Sequence, residues 1–341
     1  MSKKKIIILI SILTLLFSAC PLEEGISAIT CEAEEIPAIE AFHVLSKNSI
    51  KIKFTGTVNE VEIVSEPDLG FPEIVKSGTE VEVIFPQNTE VGKKYIISGS
   101  ARAGKVSTLD FELNILGFND RVPGLFINEI RTDYSKPKAE FIEFRSLSDG
   151  NLSGVTVEIA SAEEEGIYIF PPVEIQKGDY ITLHLRKLTE TEGALIEDDL
   201  LSKTSGYCGT DTNENAWDFW VETDKKLLRK SDVIILYETK EGKIIDGAVM
   251  TEGNISQWKS EILANKALCL VNSGIWGPDE KNQNGIYTTT EEGSNLTTTT
   301  RTLGLVPGLE TILPRTKEMW QVCDTGDASP GSENSTSVYE Q

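Results

Sequence analysis

Apolar and polar residues alternate in short bursts along much of this chain. Ser49-Ile50-Lys51-Ile52-Lys53-Phe54 makes every second residue apolar, as do Glu60-Val61-Glu62-Ile63 and Glu80-Val81-Glu82-Val83-Ile84-Phe85. Lys94-Tyr95-Ile96-Ile97-Ser98-Gly99 and Leu109-Asp110-Phe111-Glu112-Leu113-Asn114-Ile115 continue the series, with Gly, Pro and Asn between. A period of two lays the apolar side chains on one face of a strand, so the pattern predicts a small antiparallel sandwich over 38–117. Turn residues crowd Gly117-Phe118-Asn119-Asp120-Arg121-Val122-Pro123-Gly124 and set a hinge at 118–124. Beyond it, Leu125 to Ile130, Ala139 to Arg145, Tyr168 to Pro172 and Gln176 to Leu183 predict a second sandwich over 125–334. Ile127, Ile130, Phe141 and Phe144 are expected to face its core, on alternating or bulge-shifted positions. Gly154, Gly178 and Gly331 stand where the chain must reverse. The predicted fold class is all-β, two sandwiches in tandem.

Two stretches exceed a minimal sandwich, 187–230 and 272–317, and read as insertions. The first holds Ala216-Trp217-Asp218-Phe219-Trp220; its aromatics either seal the end of the sandwich or form a recognition surface. Residues 335–341 read as a disordered tail. Alternation in Ile181-Thr182-Leu183-His184-Leu185 puts His184 on the polar face. Asn128 and Glu129 read as a pair that satisfies backbone groups beside a strand, with a polar site as the alternative.

The first twenty residues change the picture. Lys3, Lys4 and Lys5 precede an apolar run from Ile6 to Phe17, then Ser18-Ala19-Cys20. The run is too short to span a bilayer comfortably and sits where a secretory core belongs. The stretch resembles a bacterial lipoprotein signal, with Phe17 where an aliphatic residue is usual. That resemblance implies cleavage after residue 19, lipidation of Cys20, and an acidic tether over 20–37. The alternatives are an ordinary signal peptide with unmodified Cys20, or an uncleaved anchor.

Charge and composition narrow the function. The formal net charge is −22, which argues against nucleic-acid partners, whose phosphates draw on clustered Lys and Arg. Attachment to a membrane is then left to acyl chains on Cys20, each buried methylene contributing about 0.8 kcal/mol. Cys31, Cys208, Cys269 and Cys323 allow disulfides after export, although Cys269, in Ala267-Leu268-Cys269-Leu270-Val271, also reads as a buried thiol. Their spacing fits no zinc site. Asp211 to Glu222 and Glu280, Asn282, Asn284, Gly285 and Glu291 mimic the rhythm of a calcium loop. One lacks the turn glycine and the other its leading Asp, so no metal or other cofactor is expected. The two histidines, His43 and His184, neighbour no nucleophile elbow, metalloprotease motif or phosphate loop. No catalytic residue is assigned.

Residues 38–117, with the Ile-Lys-Ile-Lys-Phe strand and Glu90-Val91-Gly92-Lys93-Lys94-Tyr95, resemble bacterial immunoglobulin-like domains of the surface-layer type. Residues 125–334 resemble the lamin-tail domain. The carrying set is Ile127-Asn128-Glu129, Phe141-Ile142-Glu143, Leu152-Ser153-Gly154, Lys177-Gly178, Lys243-Ile244-Ile245-Asp246 and Ala328-Ser329-Pro330-Gly331-Ser332-Glu333-Asn334. Lys177 stands where that family often has proline. Both resemblances imply immunoglobulin-like sandwiches. The expectation is a non-catalytic lipoprotein of the cell or outer membrane, facing periplasm or exterior, that binds a protein, glycan or envelope component through its 187–230 insertion. The alternatives are an accessory module for a separate secreted nuclease or hydrolase, or a carboxylate-dependent hydrolase.

Overall fold

The computed structural model describes residues 37–104, 107–187, 203, 211, 213–240, 242–278 and 285–340. Cys20, Cys31 and Cys208 lie outside them, as do most of 188–212 and Glu280 to Asn284.

Seven strands make the first unit: β1 (Ile39–Ser46), β2 (Ser49–Phe54), β3 (Glu60–Glu66), β4 (Glu73–Ser77), β5 (Glu80–Ile84), β6 (Lys94–Ala103) and β7 (Ser107–Leu116). They form two antiparallel sheets, ordered β1-β2-β5-β4 and β3-β6-β7. Alternation has the predicted consequence: Ile50, Ile52 and Phe54 of β2 and Val81 and Val83 of β5 meet Ile63, Tyr95, Ile97, Leu113 and Ile115 in one core.

The second unit has its own core. Its strands are β8 (Leu125–Arg131), β9 (Phe141–Ser146), β10 (Gly150–Asn151), β11 (Thr156–Ile159), β12 (Ile167–Ile169), β13 (Glu174–Ile175) and β14 (Tyr180–His184). Then come β15 (Ala216–Trp220), β16 (Asp232–Tyr237), β17 (Ile244–Glu252), β18 (Ile286–Thr289), β19 (Leu303–Leu305) and β20 (Trp320–Val322). A five-stranded sheet, β12-β11-β16-β17-β18, packs on a six-stranded one, β15-β14-β9-β8-β19-β20. One helix, α1 (Glu261–Asn272), covers the first of these sheets with Leu263, Ala267 and Leu270. Ser260 caps it by accepting a hydrogen bond from the Leu263 N–H.

Several expectations change here. The segment Ala216–Trp220 is no loop but an edge strand running parallel to β14, and Trp217 and Phe219 are core residues. Residues 286–289 and 303–305, within the second supposed insertion, are strands too. Cys269 is exposed on α1 rather than buried, because its side lies off the Leu263, Ala267, Leu270 stripe. The tail expected to be disordered is held as far as Tyr339, whose N–H donates to the Val322 carbonyl and whose ring centroid lies 3.8 Å from Arg301. The 118–124 segment is likewise tied down, the Asn119 amide donating to the Asn151 and Ser153 carbonyls at 2.7 and 3.0 Å.

Candidate functional site

The register of the six-stranded sheet builds the site. Opposite residues in neighbouring strands share a face. Ile127 faces Phe144 and Glu129 faces Glu143, so Asn128 is the extra residue of a bulge in β8. Continuing sideways, Glu143 faces Thr182 and Thr182 faces Asp218. One step along, Arg131, Phe141, His184 and Trp220 make a second row on that face. Phe141 therefore points away from the apolar core it was expected to join. It packs under the Arg131 guanidinium, 4.8 Å from its ring centroid, and edge-on to His184.

His184 sits on the polar face, as alternation requires, but that face is itself covered. His184 is 1% exposed, with Nε2 2.7 Å from Asp218 Oδ1 and its ring stacked 3.8 Å from Trp220. Among the described residues, the other Asp218 oxygen and Arg131 Nε have no hydrogen-bond partner.

What covers the Glu129–Glu143 row is the chain's own C-terminal strap, residues 328–334. Glu129 accepts hydrogen bonds from the Thr302 hydroxyl, from the Ser329 N–H at 3.1 Å and from the Ser329 hydroxyl at 3.3 Å. Glu143 accepts from the Asn128 amide at 2.6 Å and from the Gly331 N–H. Asn334 then threads between strands, donating to the carbonyls of Asn128 and Leu305 at 2.9 and 2.8 Å. Burial first, then the charge of Glu129, pushes Glu143 well above the usual carboxylate range. Burial also raises Glu129, against the donors of Thr302 and Ser329. Charge on one of two adjoining buried carboxyls disfavours ionisation of the other, because both cannot ionise cheaply in low dielectric.

Glu129 and Glu143 are 1% and 0% exposed, and their oxygens are directed at the strap. A glycosidase-type pair needs room for a sugar and a water between its carboxyls. This pair instead holds protein. The sequence singled out Glu129 but left Glu143 unmarked. The available signal was the ordered set Asn-Glu, Phe-Ile-Glu and Ser-Pro-Gly-Ser-Glu-Asn, whose members meet here.

Residues that mimic the rhythm of a calcium loop are engaged elsewhere. Asp211 forms an ion pair with buried Arg131, and Glu222 lies 2.9 Å from Lys187. Among the described residues, no group of three or more His, Cys, Asp or Glu is placed to hold a metal ion. Cys323 is buried beside Thr302 and raised by that burial; among the described residues, neither it nor Cys269 forms a disulfide. Between the two sheets of the second unit, where edge strands β12 and β15 leave a seam, a cavity of about 410 Å³ opens. Val157, Ile159, Leu183, Leu185, Tyr168 and Trp220 line it, with Glu165, Glu222 and Thr223 also contributing. Burial raises the Tyr168 phenol.

Comparison with known proteins identifies the second unit. A family model described as TP_1001_2nd, protein second domain, matches residues 123–322. The chain belongs to that family. The TP_1001_2nd match takes in both of these rows and Thr302, and stops short of the strap. An uncharacterized protein of Treponema pallidum (strain Nichols) is 28% identical over 179 residues, 52% of this chain. The chain covers 44% of that relative's length. Among solved structures, L,D-transpeptidase 3 from Mycobacterium tuberculosis aligns at 9% identity over 63% of this chain and 99% of its own. The TM-score is 0.15, a likeness that carries no argument about fold or activity.

Proposed function

We propose that this chain is an exported lipoprotein, anchored by acylated Cys20, whose two sandwiches bind a protein, glycan or envelope component without transforming it. In this reading the first unit is immunoglobulin-like and the second is a lamin-tail-like domain of the TP_1001_2nd family. One observation carries the non-catalytic part. The buried carboxyl pair, the feature that would best serve hydrolysis, has its oxygens bonded to the chain's own strap, whereas the open concave surfaces lie elsewhere. A group spent on holding structure has no open side for substrate. The contact is not assigned to Trp217 or Phe219, since both belong to the core.

The anchor rests on Lys3 to Lys5, the apolar run and Ser18-Ala19-Cys20. The test is metabolic labelling with an alkyne fatty acid in a host that acylates lipoproteins. Wild type is expected to carry label and partition with membranes, and Cys20→Ala to lose both. Label persisting on Cys20→Ala overturns the lipidation assignment. Cleavage of intact cells by added protease decides whether the body faces the exterior or the periplasm.

A further inference from the structure

The first unit keeps an open sheet edge beside an apolar groove. Strand β3 is outermost in its sheet and runs seven residues along β6 with no register shift. Among the described residues, its outward backbone groups therefore meet no strand. Sheet edges are commonly blunted by lysine, proline or a bulge. Within Glu60–Glu66 there is neither lysine nor proline, and no bulge interrupts the pairing. A groove of about 920 Å³ adjoins this strand, with Val61, Ile63, Val64, Phe71 and Ile74 among its lining. Phe71 is 95% exposed and Val64 63% exposed. A fully solvated Phe beside unpaired strand backbone is a contact surface without its contact.

Charge selects the occupant. Glu62 faces Ser100, which faces Asp110; Val64 faces Ser98, which faces Glu112. The three carboxylates thus share one face of the sheet, separated by two small hydroxyl residues. All three line the groove, and no cationic residue does. The nearby cations are committed elsewhere, Arg102 to Glu60 and Lys76 to the Asn59 carbonyl. Among the described residues, no ion pair involves Glu62, Asp110 or Glu112. The other face offers apolar neighbours, since Val61, Ile74 and Phe111 are only partly buried against the core.

We propose that β3 accepts an added strand from a partner protein: an extended segment in which lysine or arginine alternates with apolar residues. The backbone of β3 supplies the ladder, the carboxylates take the basic side chains, and Val61, Ile74 and Phe111 on the other face take the apolar ones. A second copy of this chain is a poor occupant. Antiparallel pairing of β3 with itself about Ile63 sets Glu60 against Glu66 on both sides, like charges directly opposed. The proposal deepens the binding reading above and is independent of the lipid anchor.

The test uses the full chain in detergent and a dye-labelled seven-residue peptide alternating lysine and valine, read by fluorescence anisotropy. Two controls have the same lysines in one block, or glutamate in place of lysine. The alternating lysine peptide is expected to bind best and to slow amide exchange across residues 60–66. Reversing Glu62→Lys and Glu112→Lys, both exposed, is expected to weaken it by about tenfold. The same variant is expected to gain binding of the glutamate–valine peptide, which also shows that it folds. Equal binding of the blocked-lysine peptide, no exchange of preference in the reversed variant, protection appearing away from 60–66, or no binding at all would overturn the proposal. Each of those results leaves Cys20 acylation untouched, so failure here and failure of the anchor are read separately.

Discussion

Replacing Gly331 with alanine tests whether the strap is held as described. Gly331 has φ of 79°, a conformation that costs an L-residue about 1–2 kcal/mol. A Cβ there would lie 2.3 Å from the Asn213 Cβ and 2.7 Å from its Cγ, against a comfortable carbon–carbon separation of about 3.5–4.0 Å. Either the Asn213 turn or the strap must then move by more than an ångström. Moving the strap breaks the Gly331 N–H bond to buried Glu143, a loss of about 1–3 kcal/mol. The expected cost is about 2–5 kcal/mol, confined to the second unit. Gly293→Ala is the control: φ is 86° there, but nothing lies within 4 Å of the added methyl, so only the backbone cost applies. Urea unfolding followed by tryptophan fluorescence reports the second unit, where Trp217, Trp220 and Trp320 lie. If Gly331→Ala is no less stable than Gly293→Ala, the strap is not seated on Glu143 as argued.

Glu143 also gives the chain a pH dependence. Its proton affinity is raised on folding, so its contribution to stability is full below the unfolded value of about pH 4.3 and is lost as pH rises through the elevated folded value. Each tenfold gain in proton affinity is worth about 1.4 kcal/mol; Glu143→Gln should flatten the decline seen in wild type as pH rises above that unfolded value, and an unchanged slope would refute it. Asp246 and Arg315 form a second buried pair, 1% and 2% exposed, at 3.2 Å. Asp246→Ala leaves a buried guanidinium without its counter-charge and should cost about 3–5 kcal/mol in urea unfolding, whereas a loss below about 1 kcal/mol would mean the carbonyls of Leu309, Glu310 and Ile312 suffice. In a chain with Cys20, Cys31 and Cys208 changed to serine, Cys269 should react with a maleimide at once and Cys323 only after denaturation, which counting labels by mass spectrometry checks.

Local pattern was enough for the strands of the first unit that alternate cleanly, because a period of two is a property of neighbouring residues. Ser49–Phe54 alternates in the sequence and has its apolar positions buried in the sheet. Even α1 carried a readable local signal, Ser260 as cap followed by Leu263, Ala267 and Leu270 at helical spacing, which the short apolar run around Cys269 obscured. The site was another matter. That Glu129 lies against Glu143 depends on the Asn128 bulge, which shifts the register of β8 by one residue. That the polar face holding His184 is dry depends on β15 joining the sheet and on a strap arriving from some two hundred residues away. Alternation assigns a residue to a face; only the packing of distant segments decides whether that face meets water, and burial is what raises the proton affinity of otherwise ordinary carboxylates.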